Sequence, residues 1–292
     1  MRVVTWNVLY RNREERTDLL VNRLRRVEPD VVLLQETSPE HAETVAEQLG
    51  LTMVGCGRSI PDLPHESAPA LLCSVAGDIT PVGDVIELSM DDRTYAILSR
   101  VRLSDGTEAV IGSVHLSHTG QAGRMGIDLG YARFSTGHGS LDEVADETFR
   151  TSVATRLEQL MELDRVIAGE QPRRGVLLGG DFNFITYGGE YRRVLELGFS
   201  DAWSSGPRLG TRDTILEYNP LIGDGRGVYS ERPPGVMQGV TGPLDYTLDF
   251  QFFTPGLTAE SAWTLGRPDE DDPEWVSDHL GLAADYRLSQ AT

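Results

Sequence analysis

The sequence predicts an α/β protein built from two packed β-sheets with helices on their outer sides. Three observations carry that expectation. Helix–strand units open the chain, hairpin-like β-rich runs fill its middle, and a long amphipathic helix followed by further strands closes it.

Residues 2–9, RVVTWNVL, are dense in β-branched and aromatic side chains and read as a buried strand. Residues 13–27 carry Leu19, Leu20, Leu24 and Val27 in a helical pattern. Pro29 and Asp30 break that helix and launch a second buried strand, VVLLQE. Ser38 followed by Pro39 supplies an N-cap and a first-turn proline for a helix that ends near Gly50. From about residue 51 to 116 the runs ALLCSVA, TYAILSRVRL and EAVIGSVHL, separated by Gly, Asp and Pro turns, read as antiparallel sheet. Residues 143–169 form a long helix with Leu157, Leu160, Leu163 and Val166 on one face. GVLLGGDF, LDYTLDFQFF and HLGLAADYRL are the remaining strands. Two glycine-rich loops, 117–140 and 204–242, have no periodicity; structureless stretches of this length in a compact domain are usually functional or disordered.

At 292 residues the chain has room for one to two domains and an ample core. Its hydrophobic fraction of 39% is that of an ordinary soluble protein, and no apolar run approaches a membrane span. The opening MRVVTWNVLYRNREER has too short an apolar stretch for a signal peptide and no small-residue cleavage site, so the expected location is cytoplasmic. Cys56 and Cys73 alone offer no disulfide framework or zinc spacing and read as buried free thiols. The formal charge of −19 argues against a broad basic surface that tracks nucleic acid by counterion release, although a locally positive groove can sit on an acidic body. All 26 basic residues are arginine, so any phosphate contact must come from planar, bidentate guanidinium groups.

The stretch LLGGDFNF, residues 177–184, drives an apolar strand into Asp181 and Asn183. A solvated turn accounts for those residue types on their own. The arrangement recurs, however. Asn7 closes the first strand, Glu36 closes the second after Gln35, and His115 sits near the end of VIGSVHLS. Asp245 lies inside PLDYTLDF, and Asp278 with His279 opens the last strand in VSDHLGL. Each alone reads as a turn, a cap or a satisfied core histidine. If these strands share a sheet edge their side chains converge, and several carboxylates in close quarters need a compensating cation. Oxygen ligands without thiolates select magnesium, manganese or calcium over zinc.

The motifs TWN, LQET, HLS, GGDFN, LDYTLDF and SDH resemble, in order and spacing, those of the endonuclease/exonuclease/phosphatase superfamily of deoxyribonuclease-like, metal-dependent phosphoesterases. The resemblance runs from residue 5 to 280, and GGDFN with the late SDH is its most specific part. It implies a single catalytic domain over residues 1–292, folded as a four-layer α/β/β/α sandwich of two mixed, mainly antiparallel sheets flanked by helices. It also implies roles at matching positions. Glu36 would hold the divalent metal (Mg2+, with Mn2+ or Ca2+ as substitutes), with Asn7 and Asp278 completing or supporting its shell. Asp181 would position or deprotonate the attacking water, and Asn183 would hydrogen-bond the nucleophile or a phosphate oxygen. His279, oriented by Asp245, would stabilise charge developing on phosphorus. His115 would contact phosphate or protonate the leaving group, with Glu66 a candidate to orient it. Two departures stand out. Leu9 occupies the place where some relatives carry an acidic residue, which weakens the case for a second metal. His115 stands where the abasic-site branch has a tyrosine.

The expected reaction is metal-assisted hydrolysis of a phosphate ester. Arg124, Arg133, His118 and His138 in the first loop, and Arg208, Arg212, Arg226 and Arg232 in the second, could grip an anionic substrate. An acidic body with arginine-bearing loops suits a small molecule or lipid headgroup better than long duplex DNA. A nuclease acting on DNA or RNA is the second reading, and a non-catalytic binding or scaffold protein the third. No protein partner is evident.

Overall fold

The structure, a computed structural model, describes residues 1–10, 13–58, 68–74, 79–118, 147–170, 175–186, 188–216, 219–221, 247–269 and 273–288. Strand β1 (Arg2–Asn7), a 3-10 turn (Arg13–Arg16) and helix α1 (Thr17–Val27) lead to β2 (Val31–Thr37), α2 (Pro39–Leu49), β3 (Leu51–Cys56) and β4 (Ala68–Ser74). Four antiparallel strands follow: β5 (Ile79–Pro81), β6 (Ile86–Met90), β7 (Arg93–Leu103) and β8 (Glu108–His115). Helix α3 (Glu147–Glu170) precedes β9 (Val176–Asp181), α4 (Gly189–Glu196), β10 (Ser200–Asp201), the single turn α5 (Ala202–Ser205) and β11 (Arg208–Leu209). Strands β12 (Asp249–Phe253), β13 (Leu257–Leu265) and β14 (Gly281–Leu288) complete the described chain.

One sheet runs β11-β13-β14-β1-β2-β4-β3 and the other β10-β12-β9-β8-β7-β5, with β6 beside β7. The pairs β1–β2, β8–β9 and β11–β13 are parallel and the rest antiparallel, so both sheets are mixed. Three apolar layers define the sandwich. Leu20, Val21 and Leu24 of α1 and Val45 of α2 cover Val4, Trp6, Val32 and Leu34 on the outer face of the first sheet. Leu160, Leu163 and Ile167 of α3 and Val194 of α4 cover Tyr95, Leu98, Phe250 and Phe252 on the outer face of the second. Between the sheets lie Val3, Leu33, Ile97, Ile111, Leu177, Phe253 and Leu282. This is the α/β/β/α order expected from the sequence.

The helix starts follow local chemistry. Ser38 Oγ accepts the His41 N–H at 3.2 Å with Pro39 in the first turn, and Gly50 closes the helix at φ 69°. Helix α4, strand β13 and the short elements α5 and β11 are not among the elements expected from the sequence. The last two lie in or beside the stretch expected to be unstructured from 204 onward. Cys56 is a free thiol, half-buried rather than sealed in the core, and burial pushes its pKa up to about 12. The Cys73 side chain lies outside the described ones. Among the described residues no helix is long and apolar enough to cross a membrane.

The layer between the sheets changes character along its length. Strand alternation sends every second residue inward. The inward positions read Val3, Thr5, Asn7 on β1, Ile111, Ser113, His115 on β8, and Leu177, Gly179, Asp181 on β9. Strand β12 runs the other way, as Phe253, Gln251, Asp249. One end of the sandwich is therefore oily, its middle neutral and polar, its far end charged. The middle is fully hydrogen-bonded, as buried polar groups must be. Gln35 Nε2 donates to Ser113 Oγ across the sheets at 3.0 Å, and Ser113 Oγ donates to the Leu34 carbonyl at 2.9 Å. Gln251 Nε2 donates to the carbonyls of Val3 and Leu282 at 3.1 and 2.8 Å.

The two glycines ahead of Asp181 answer to close approach. A Cβ on Gly180 would lie 1.8 Å from the Val114 carbonyl oxygen, and one on Gly179 would lie 2.5 Å from Leu33 Cδ1. The first clash is with backbone and cannot be relieved by a rotamer. Gly180→Ala is therefore expected to destabilise the fold by about 3 kcal/mol or more, read as a lowered urea midpoint. An unchanged midpoint would show that β8 and β9 do not approach this closely.

Candidate active site

The charged end of the sandwich is assembled by register. His115 pairs with Asp181 across β8 and β9, and Asp181 pairs with Asp249 across β9 and β12, so three functional side chains form one row. The facing sheet contributes Asn7 at the end of β1, paired with Gln35 on β2. Glu36 follows Gln35, and strict alternation would turn it toward the helices. A β-bulge intervenes: the β2–β4 register shifts between Leu34 and Thr37, and Glu36 adopts φ 55°. Bulges of this kind re-aim a side chain, and here the carboxylate meets Asn7.

Asn7 joins the two sheets. Its Nδ2 donates to Glu36 Oε1 at 3.1 Å and to Asp181 Oδ2 at 3.0 Å, while its Oδ1 accepts the Leu9 N–H at 3.1 Å. Glu36 Oε2 accepts the Tyr10 N–H at 3.1 Å, and Arg13 Nη1 donates to the Glu36 carbonyl at 3.2 Å. Asp181 Oδ1 accepts the Asn183 N–H at 2.9 Å in an Asx turn, and Asn183 Nδ2 donates to the Leu116 carbonyl at 3.0 Å. Leu9, Glu36 and Asn183 all have φ between 52° and 55°, the left-handed region. Each costs about 1–2 kcal/mol for an L-residue, and such residues cluster at functional sites.

The SDH segment closes the site from the third side. Ser277 Oγ donates to the Asn7 carbonyl at 2.6 Å and accepts the His279 N–H at 3.2 Å. Trp6 Nε1 donates to the His279 carbonyl at 3.0 Å. His279 Nδ1–H donates to Asp249 Oδ2 at 2.8 Å, and Thr214 Oγ1 accepts the Asp249 N–H at 3.3 Å. The other face of each imidazole looks at the same atom: His279 Nε2 and His115 Nε2 both lie 3.8 Å from Asp181 Oδ2.

The electrostatics follow from this crowding. Burial alone would lower the His279 pKa, but Asp249, Asp181 and Asp278 together outweigh it and hold the imidazolium well above the usual 6.5. The Asp278 carboxyl is pushed up to about 6, first by burial and then by Glu36 and Asp181, against the opposing pull of His279 and Ser277. Asp249 Oδ1 is buried with no hydrogen-bond partner among the described residues. Asp181, Asp249 and His279 present donor atoms within 4.8 Å of one another, a buried group that could bind a metal ion.

Seven of the residues singled out in the sequence thus meet here: Asn7, Glu36, His115, Asp181, Asn183, Asp278 and His279. One expectation needs correction. The carboxylate on His279 Nδ1 is Asp249, not Asp245; Asp245 lies outside the described residues. The motif LDYTLDF contains the Leu-Asp-aromatic pattern twice, and the aspartate of the second copy opens strand β12. Glu66, Arg124 and Arg133 also lie outside the described residues, while His118 is exposed at the exit from β8. Arg212 is turned inward onto Asp201, with its guanidinium 5.3 Å from the Phe250 ring centroid. Thr214 and Ser277 support the histidine and its aspartate without a local sequence signal for that role, although Ser277 belongs to the SDH motif.

The His279–Asp249 pair has a pH signature. The fold favours the charged imidazole, so the stabilisation is complete below 6.5 and is lost as pH rises through the raised folded value. Asp249→Asn is expected to shift the His279 titration to lower pH, measured by NMR of the ring protons. An unmoved titration would remove Asp249 as the group that holds the charge.

Residues 4–279 match the Endonuclease/Exonuclease/phosphatase family. A comparison with curated proteins finds no match. Solved structures share the fold at low identity. The Bacteroides thetaiotaomicron VPI-5482 mannosyl-6-phosphatase is 13% identical with a TM-score of 0.67, covering 99% of this chain and 100% of that one. D. rerio TDP2 complexed with a single-strand DNA product is 18% identical with a TM-score of 0.64 and 99% coverage of both chains. The human nocturnin catalytic domain with bound sulfate anion is 20% identical with a TM-score of 0.59, covering 99% of this chain and 93% of that one.

Proposed function

The chain belongs to the endonuclease/exonuclease/phosphatase family of hydrolytic phosphoesterases, and from that premise we propose that it hydrolyses a phosphate ester of a small molecule or lipid headgroup with bound Mg2+. Mn2+ and Ca2+ are the proposed substitutes. The observation that carries the reading is the convergence of Asn7, His115 and His279 on one oxygen of Asp181. We further propose that residues 1–292 serve this site as one catalytic domain, because β1 and β14 at the two ends of the chain flank it in a single sheet.

In this reading Asp181 accepts the proton of the attacking water. Asn7 fixes its carboxylate, and the Asn183 amide, with Nδ2 engaged on Leu116, offers Oδ1 to orient the same water. His279, kept cationic by Asp249, stabilises the charge that builds on the nonbridging oxygens. His115 contacts the phosphate or donates a proton to the leaving oxygen. Glu36, Asn7 and Asp278 would hold the divalent cation. Burial, and after it the repulsion of Glu36 and Asp181, lifts Asp278 to about 6, a strain of the kind a cation relieves, and the donors are hard oxygens. The Asp181–Asp249–His279 group suits a metal less well, because the carboxylates around His279 favour its charged ring, and an imidazolium has no lone pair to give a metal. When bound, the cation supplies positive charge to the phosphate oxygens.

The formal charge of −19 favours a compact anionic substrate over a long polyanion. The mannosyl-6-phosphatase among the structural neighbours fits that preference, and the DNA-bound TDP2 keeps a nuclease as the second reading. One comparison separates them: model phosphomonoesters and phosphodiesters with and without chelator, beside supercoiled plasmid. Chelator-sensitive turnover of a small ester with intact plasmid is expected. Plasmid nicking with steep salt dependence would transfer the assignment to nucleic acid, and no turnover of any ester would leave a binding protein.

Asp181→Asn and His279→Ala are each expected to lower kcat by roughly a thousandfold or more while leaving thermal unfolding cooperative. A variant that instead fails to fold would mark its residue as structural. Glu36→Gln is expected to weaken the Mg2+ dependence of turnover most, and an unchanged titration would end its ligand role. A cation on Asp278 must displace a proton. The apparent Mg2+ affinity by calorimetry should therefore fall about tenfold per pH unit below about 6 and level off above it.

A further inference from the structure

Two buried side chains outside the reacting cluster converge on one residue, Ser117, and a third braces one of them. Arg156, midway along α3, is 0% exposed beside Glu190, 1% exposed, in the first turn of α4. Its Nε and Nη2 donate to Glu190 Oε1 at 3.1 and 2.7 Å, and its Nη1 donates to the Ser117 carbonyl at 3.0 Å. One turn along the same face of α3, Gln159 Oε1 accepts the Ser117 N–H at 3.0 Å. Both main-chain polar groups of Ser117 are therefore held by one helix.

Ser117 lies two residues beyond His115. The residue between them is fastened on the opposite side: Leu116 N–H donates to the Asp181 carbonyl at 3.0 Å, and the Leu116 carbonyl accepts Asn183 Nδ2 at 3.0 Å. The exit of β8 is thus gripped between the segment that carries Asp181 and Asn183 and the helix that carries Arg156 and Gln159. A guanidinium removed wholly from water is unfavourable unless every donor is matched, and an apolar side chain would fill the same space. What the planar fork adds is direction, since it fixes where the Ser117 carbonyl points.

We infer that Arg156 and Gln159, braced by Glu190, are positioning residues: they set the exit of β8 and through it the placement of the His115 imidazole against Asp181. The kinetic consequence rests on the phosphoesterase reading; the placement of His115 does not. A clamp that merely joined α3 to α4 would affect stability and leave His115 where it is.

Gln159→Leu removes an acceptor without stranding a charge, and Gln159→Glu keeps one. Gln159→Leu is expected to lower kcat about tenfold with KM changed less than about twofold, and Gln159→Glu to regain most of the rate. In a His115→Ala background the same Gln159→Leu change should cost less than about twofold, because the residue through which it acts is gone. In substrate-free protein the NMR signals of the His115 ring should move in Gln159→Leu while those of His279 stay. Should Gln159→Leu not fold, the same spectra of Arg156→Lys decide. An equal loss with and without His115, or unmoved His115 signals in a folded variant, overturns the inference. If those signals move in a protein that hydrolyses no phosphate ester, the phosphoesterase reading fails and the positioning role stands.

Discussion

Two carboxylates from different sheets meet at one amide. Asn7 Nδ2 spans from Glu36 on its own sheet to Asp181 on the facing one, at 3.1 and 3.0 Å. Its two protons leave the nitrogen at a fixed angle, so both bonds form only if the sheets keep one spacing and one offset at this end. The hydrogen bonds deeper in the sandwich, from Gln35 to Ser113 and from Gln251 to Val3 and Leu282, hold that spacing. Apolar burial makes the sheets adhere but has no direction. The polar rows supply the register, and without it the end of the sandwich would be a cleft lined by unrelated side chains.

The same strands that carry the chemistry anchor it from behind. Phe182 and Phe184 alternate with Asp181 and Asn183, and Phe250 and Phe252 alternate with Asp249 and Gln251. Their rings interlock under α3 and α4, with Phe182 edge-on to Phe252 at 4.9 Å and Phe250 stacked on Phe252 at 5.2 Å. Alternation thus gives one face of each strand to the core and the other to the site. Where alternation points the wrong way, at Glu36, a bulge and a left-handed residue correct it. The packed surroundings offset that local cost.

Charge is arranged with comparable economy. Asp181 sits between two imidazoles, one of them held cationic by Asp249, and Glu36 and Asp278 bring further negative charge to the same end. A phosphate approaching a body of net charge −19 meets net repulsion, which in the proposed reading His279 and a divalent cation reverse at the site. In the proposed reading, specific attraction at one point on an acidic body favours compact anions that can enter the site over polymers that must lie along the surface.

The amino-acid sequence on its own determines whatever depends on neighbours along the chain. Buried strands, the capped helix after Ser38 and the polar residues that end strands all declare themselves through periods of two or 3.6 and through turn chemistry. The motif set then identified the fold class and seven members of the cluster. The partner of His279 was a different matter. Asp245 and Asp249 are four apart, so a strand pattern puts both on one face, and only the pairing of Asp249 with Asp181 brings the second beside the histidine. Glu36 faces the cluster although its strand parity points to the helices; the bulge that turns it exists only once β2 pairs with β4. Arg156 and Gln159 look like ordinary residues of an amphipathic helix until that helix docks against Ser117. Contacts between residues distant in the chain have no local signature, because the energy that selects them appears only when the sheets and helices close on one another.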